Sequence, residues 1–349
     1  MPGSIRDMLE EQEAATLHPR AALSRDTRGR DRPDPEDDMR PAYQRDRDRL
    51  LHSKSFRRLK GKTQVFLAPR GDHYRNRLTH TLEVAQVARS IARALRLNEM
   101  LVEAMVMAHD LGHTPFGHAG ERLLNRVVPG GFHHVHQSLR VVEVLEKDGA
   151  GLNLTVEVRD GILRHSKGRG NVLMAGAGAK ALTLEAEIVR LADVIAYVNH
   201  DLDDAVRGGL LREEDVPADI ARVLGDRHSV RLHHLVSDVI RSSDIDGGGH
   251  IAMSPDVHGA LLALRDFLYQ RVYENPVVQE EFEKAQRILE DLHGWCVADG
   301  DRLRARYGVA PRPGEDLPRA VTDFLSGMTD RFALETWEQV FMPRPWAIV

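Results

Sequence analysis

The feature that most narrows the fold is a helical period that recurs along the chain. "LTHTLEVAQVARSIARAL" sets Leu78, Leu82, Ala85, Ala88 and Ile91 on one face with polar residues opposite. "LTLEAEIVRLADVIAYVNHDLDDAV" does the same with Leu184, Ile188, Leu191, Ile195 and Val198. "VHGALLALRDFLYQRVY" and "PVVQEEFEKAQRILEDLHGW" repeat it, the second with Pro276 in a first-turn position. Strand signals are few: "KTQVFLA" reads as a short extended piece, and nothing supports a central sheet. The pattern predicts an all-α bundle elaborated with additional helices and few or no strands.

Composition narrows the function classes. Of 349 residues 42% are hydrophobic, enough for a sizeable core, while only 5% are aromatic, which disfavours a base-stacking RNA platform. A net charge of −5 disfavours a general nucleic-acid coat. A basic run (Arg57, Arg58, Lys60, Lys62, Arg70, Arg75, Arg77) nevertheless leads into His80 and leans towards phosphate binding. Cys296 is the single cysteine, so no disulfide framework and no multi-cysteine zinc site can form within the chain, which fits a reducing cytoplasm. "MPGSIRDMLEEQEAA" is no signal peptide and no run reaches the length of a membrane span, so a cytoplasmic location away from membranes is expected.

The breaks between helices organise the chain. "TLHPRAALSRDTRGRDRPDPEDDMRP" is polar and proline-rich, and residues 1–38 are expected to form a flexible arm ahead of one helical domain over 39–349. "HSKGRGNVLMAGAGAKA" reads as a mobile glycine-rich loop, and its "GAGAK" lacks the spacing of a phosphate-binding loop.

The chemistry concentrates in "MAHDLGHTPFGHAGERLLN", which holds His109, Asp110, His113, His118 and Glu121. Adjacent side chains on a regular helix diverge, so His109 and Asp110 can share an ion only where the helix ends, and Gly112, Pro115 and Gly117 end it. His80 opens the helix after the basic run. Asp193 lies within the apolar "IVRLADVIAYV", where a carboxylate needs an arginine or a metal. Together His80, His109, Asp110 and Asp193 make a mixed N/O set suited to a divalent Mn, Fe, Co, Ni or Mg-class ion.

These four residues match the H…HD…D signature of the HD-domain metal-dependent phosphohydrolases. "YQRDRDRLLHSKSFRRLKGKTQVF", "RNRLTHTLEVAQVARSIA", "AHDLGHTPFGHAGERLLN", "FHHVHQSLRVVE", "RLADVIAYVNHDLDDAVRGG" and "DFLSGMTDRFA" resemble, in order, blocks of the dGTPase-like deoxynucleoside triphosphate triphosphohydrolases over roughly residues 40 to 343. The resemblance implies an HD-type domain with a C-terminal helical extension. It also implies attack of water on the α-phosphorus of a dNTP, with release of deoxynucleoside and triphosphate, aided by Mn²⁺ or Mg²⁺.

The resemblance further assigns roles. His118 takes the position of the catalytic histidine, which would protonate the departing 5′-oxygen, with Glu121 holding its other ring nitrogen. His113 matches a phosphate-contacting position. His134 matches a further histidine, although "HHVHQS" departs from the usual block and leaves His133 and His136 as competitors. Arg77, one turn before His80, faces the ion and the α-phosphate. Arg265 matches a residue on the distal phosphates, and Tyr197 one touching the triphosphate. Asp201 and Gln64 match the partners of the sugar 3′-hydroxyl, and Tyr273 the aromatic packed where a 2′-hydroxyl would sit. The family also implies a homo-oligomer, with dNTP or single-stranded DNA as an effector. The competing readings are another HD-type nucleotide phosphohydrolase or phosphodiesterase, and a dNTP-sensing subunit without turnover.

Overall fold

In the computed structural model residues 3–65, 74–166 and 181–343 are described. Their regular structure is helical: α1 Ile5–Thr16, α2 Ala42–Leu51, α3 Lys54–Arg58, α4 Arg77–Ala94, α5 Glu99–His109, α6 Gly117–Val127, α7 His134–Arg140, α8 Val156–Arg164, α9 Leu184–Arg207, α10 Ala218–Leu224, α11 His228–Ser242, α12 Pro255–Leu268, α13 Pro276–Ala298, α14 Gly300–Tyr307, α15 Leu317–Ser326 and α16 Asp330–Phe341. Among the described residues there is no strand, only isolated bridges such as Thr63 with Asn76. The fold is therefore all-α. No helix among the described residues is long and apolar enough to cross a membrane. Residues 167–180, most of the glycine-rich segment, lie outside the described residues, as do residues 66–73, with Arg70 and the second half of "KTQVFLA".

Local chemistry sets the helix boundaries near the site. Asn76 caps α4 by accepting from the Thr79 amide while Thr79 accepts from the Asn76 amide, so Arg77 and His80 fall in its first turn. Asn98 caps α5, which runs apolar to its last residue, His109. Pro276 sits in the first turn of α13, as its position in the sequence suggests.

α4 packs against α5 and α9, and α5 also against α2 and α8. The predicted stripe on α9 is buried throughout. The stripe on α4 is turned from the predicted one: Leu82 is 51% exposed, and the buried arc is His80, Thr81, Val84, Ala85, Val87, Ala88, Ile91 and Ala92. The reason is that α4 has neighbours on two sides, so its buried arc is wide, and small alanines let α5 and α9 approach closely. The first core is built from these helices with α2, α8, α11 and α12. A second joins Ala119, Leu123 and Leu124 of α6 to Phe282, Leu289 and Leu292 of α13 and Val321 and Leu325 of α15. Leu111 belongs to the first core and Phe116 to the second, so the turn between α5 and α6 spans the seam.

The polar N-terminal stretch is irregular, yet it is tied down. Arg30 pairs with Asp46 and donates to the Asn153 carbonyl at 2.7 Å, Arg45 pairs with Asp34 at 2.6 Å, and Glu157 accepts from the Thr27 hydroxyl at 2.7 Å. Helix α1 precedes it, with Ser4 and Asp7 forming a capping box.

Candidate active site

Helix α5 stops at His109, and Asp110 is its C-terminal cap, so the two side chains leave the helix axis together. The turn that follows is held from several directions. Ser138 donates to the His109 carbonyl at 2.6 Å and accepts from the Gly112 amide at 2.9 Å. Asp330 accepts from the Phe116 amide at 2.9 Å and, with its other oxygen, from the Thr63 amide at 2.8 Å. Lys62 is fully buried and donates to the carbonyls of His113 and Ser326. Phe116 adopts φ 61°, unusual for a bulky residue, and Gly117 follows with φ 54°. A side chain on Gly112 would place its Cβ 2.1 Å from the Ser138 nitrogen and 2.5 Å from the His134 carbonyl oxygen. Backbone cannot give way cheaply, so Gly112→Ala is expected to cost about 3 kcal/mol, the upper part of the usual overpacking range. A fall in the urea midpoint checks it; an unchanged midpoint would show that the turn can relax.

The four proposed ligands converge. His80 Nε2 lies 3.2 Å from Asp193 Oδ1, and His109 Nε2 lies 3.3 Å from Asp110 Oδ1 and 3.7 Å from Asp193 Oδ1. His109 Nδ1 donates to the Val106 carbonyl at 2.6 Å, which leaves Nε2 as a bare lone pair. That buried Nε2 has no hydrogen-bond partner among the described residues. A lone pair facing two carboxylate oxygens is repulsive unless a cation lies among them. The donor set fits a divalent ion, and the ligand atoms of His80, His109 and Asp110 lie within 4.8 Å of one another. Burial pushes Asp110 up, but His109, His113 and the Arg77 guanidinium outweigh it and hold it well below the usual carboxylate range. Asp193 is likewise held low, its burial offset by His80 and His109.

Arg77 Nη1 pairs with Asp110 Oδ2 at 2.7 Å, while its buried Nε has no partner among the described residues. Two other described residues of the basic run are engaged elsewhere. Arg75 is engaged by Glu83, Asp203 and Asp204, and Lys62 supports the turn. Burial, reinforced by Arg58 and Arg77, lowers Lys62 to about 7.

The histidines form a stacked cluster beside the ligands. His113 Nε2 lies 3.3 Å from Asp110 Oδ1, and its ring stacks on His134 with centroids 3.9 Å apart. Glu121 Oε1 accepts from both the Nδ1 and the backbone amide of His134, at 2.8 and 2.9 Å. Its Oε2 lies 3.9 Å from Nδ1 of His118, whose side chain is 51% exposed. Burial pushes Glu121 up, but His118 and His134 outweigh it and keep the carboxylate ionised. Of the three competing histidines, His134 is thus the one gripped by Glu121; His133 caps α7 and stacks on it.

Two histidines that the sequence reading did not single out belong to this cluster. His165, just after α8, lies with Nε2 3.3 Å from His134 Nε2 and its ring edge-on to His109 at 5.1 Å. His200 on α9 faces His80. The signal for His200 was present: it lies seven residues after Asp193, two helical turns along the same face.

Three of the remaining proposed residues carry buried polar atoms without partners among the described residues: Gln64 Oε1, Asp201 Oδ1 and the Tyr273 hydroxyl. Burial, with Asp204 adding to it, raises Asp201 well above its ordinary value. Burial and Asp201 also raise the Tyr197 hydroxyl. Arg265 on α12 makes a long contact to its neighbour Asp266, at 3.4 Å. Tyr273 is reached through a single π-turn, Tyr269–Tyr273, that follows α12 rather than through regular α-helix. Such turns often sit at functional sites.

Comparison with known proteins places this geometry. The HD domain family matches residues 77–198, and the phosphohydrolase-associated domain family matches 251–339. A deoxyguanosinetriphosphate triphosphohydrolase-like protein of Caldanaerobacter subterraneus subsp. tengcongensis is 50% identical, over 98% of this chain and 97% of its own. One of Desulfatibacillum aliphaticivorans is 48% identical, covering 98% and 99%, and one of Clostridium tetani 43% identical, covering 98% and 97%.

Proposed function

The chain belongs to the dGTP triphosphohydrolase-like family of HD-domain phosphohydrolases, and we propose that it hydrolyses deoxynucleoside triphosphates at the α-phosphorus to deoxynucleoside and triphosphate. The observation that carries this reading is the set of unpartnered buried atoms on Gln64, Asp201 and Arg77. Burying a polar group without a partner costs about 1–3 kcal/mol, so three on neighbouring residues are best explained by a polar ligand that satisfies them. Asp201 lies close enough to Arg77 and Asp193 to feel both charges, and a methyl on Gly117 would touch both the Gln64 carbonyl and Arg77.

A divalent ion held by His80, His109, Asp110 and Asp193 supplies, when bound, Lewis acidity at the α-phosphate and a water of lowered pKa. Arg77 neutralises α-phosphate charge through the guanidinium edge not used by Asp110. The water oxygen bonds to phosphorus, the P–O5′ bond breaks, the 5′-oxygen leaves with a proton from His118, and the proton shed by the attacking water returns His118 to its acid form. Asp201 and Gln64 Oε1 together engage the sugar 3′-hydroxyl. Such paired polar contacts reject an analogue lacking the hydroxyl. Tyr197 and Arg265 are assigned to the triphosphate, and His113 to the α-phosphate.

Anion-exchange analysis of the products after incubation with each dNTP and Mn²⁺ tests the reaction. Triphosphate is expected; pyrophosphate or orthophosphate would replace this reading by another HD-type phosphohydrolase reaction. Tyr273→Ala is expected to open space beside the sugar C2′, so that GTP competes better against dGTP. If the inhibition constant of GTP is unchanged while the protein loses stability, Tyr273 is a packing residue only.

A further inference from the structure

His80 can serve as a ligand through Nε2 only if its proton resides on Nδ1, and its own helix does not decide this. Nδ1 of His80 faces Nδ1 of His200 at 3.4 Å, with the rings edge to face and centroids 5.7 Å apart. One of the two nitrogens must carry the proton. The far side of His200 determines which. Its Nε2 lies 3.2 Å from Glu83 Oε2. Glu83 is anchored by Arg75 Nε at 2.9 Å, and Arg75 in turn by Asp203 and Asp204, each at 2.7 Å. A carboxylate only accepts, so Nε2 of His200 carries a hydrogen. With His80 ligating through Nε2, its Nδ1–H needs an acceptor, and the buried Nδ1 of His200 is the atom that faces it. The Nδ1 of His200 is then bare and accepts from His80 Nδ1–H. The lone pair of His80 is left on Nε2, on the side of Asp193 and His109.

We propose that His200, oriented by Glu83, is a positioning residue that fixes the tautomer of His80 and so sets the affinity of the site for a divalent ion. The inference rests on the metal reading of His80, Asp110 and Asp193. The opposite tautomer of His200 would set a lone pair against the Glu83 carboxylate. It would also push the His80 proton onto Nε2, where Asp193 could hold it in competition with the ion. Partners of this kind typically change metal affinity by about 10- to 100-fold.

The test is equilibrium dialysis of the purified full-length protein against Mn²⁺, with thermal unfolding followed in parallel. His200→Phe keeps a ring of similar shape without the acceptor, and is expected to weaken Mn²⁺ binding by about 10- to 100-fold. His200→Asn places a carbonyl oxygen near the position of Nδ1 and is expected to recover most of that loss. Glu83→Leu, at a half-exposed position that tolerates an apolar side chain, frees His200 to change tautomer and is expected to fall between the two. Wild-type affinity in His200→Phe would overturn the proposal. So would a His200→Asn protein as weak as His200→Phe when both unfold at the wild-type temperature. Should His200→Phe fail to fold, wild-type affinity in Glu83→Leu overturns it. A wild-type protein that binds Mn²⁺ no better than Asp193→Asn would instead sink the metal reading itself.

Discussion

Asp193→Asn is expected to reduce dNTP hydrolysis by at least ~10³-fold while leaving the fold intact. The magnitude follows from the ion's part in the reaction: Lewis-acid stabilisation is worth several kcal/mol, and each 1.36 kcal/mol is about tenfold in rate. The fold survives because Asp193 contributes nothing to the apolar stripe of α9, whose Leu184, Ile188, Leu191, Ile195 and Val198 are buried independently of it. Stability gives a second readout with a definite sign. Without an ion, burial is outweighed by His80 and His109, which hold Asp193 at about 2 in the folded state, below its ordinary value, so its charge contributes stability at neutral pH and Asp193→Asn is expected to lower the apo Tm slightly. With Mn²⁺ at about a hundred times its dissociation constant, the wild type gains about 2.7 kcal/mol by mass action, which the variant does not. Thermal unfolding with and without Mn²⁺ separates the two. A variant that retained both turnover and the Mn²⁺-dependent rise in Tm would remove Asp193 from the site.

The contrast between what was readable and what was not follows the range of the interactions. The all-α character and the convergence of the four residues proposed as ligands were legible because they rest on local rules: an apolar period, a helix that must end at His109, and a carboxylate on a buried stripe. The supports of the turn were not, because they arrive from far away in the chain. Asp330 and Ser326 come from α16 and α15, more than two hundred residues from Phe116 and His113. The basic run shows the limit of reading charge alone. Composition groups Lys62, Arg75 and Arg77, yet tertiary structure sends the first to backbone carbonyls, the second to three carboxylates and only the third to Asp110. The stripe on α4 shows the same for packing: periodicity gives the existence of a buried face, whereas its centre depends on α5 and α9.

His118→Ala is expected to lower kcat by on the order of 10² to 10⁴, the usual worth of general acid catalysis, with Mn²⁺ affinity unchanged. His118 and His134 both flank Glu121, so the geometry must choose between them. His134 is engaged at both ring nitrogens, by Glu121 on one side and His165 on the other, and is stacked on His113. Donating its proton to a leaving group would break one of those contacts. His118 is half exposed on the first turn of α6, with Nδ1 towards Glu121 Oε2 and its other nitrogen turned away from that carboxylate. We therefore propose His118 as the donor, with His134 holding Glu121 in place. The leaving group decides the matter. With a p-nitrophenyl phosphate ester of deoxythymidine the departing oxygen needs little proton assistance, so the His118→Ala deficit should shrink well below its value with a dNTP. A second constraint comes from pairing the changes. If Glu121 acts through His118, adding Glu121→Gln to His118→Ala should cost little more than His118→Ala alone, because residues acting as a unit are not additive. A deficit as large with the activated ester as with the dNTP would mean that His118 orients the attacking water. A deficit that shrinks for His134→Asn and not for His118→Ala would pass the proton to His134.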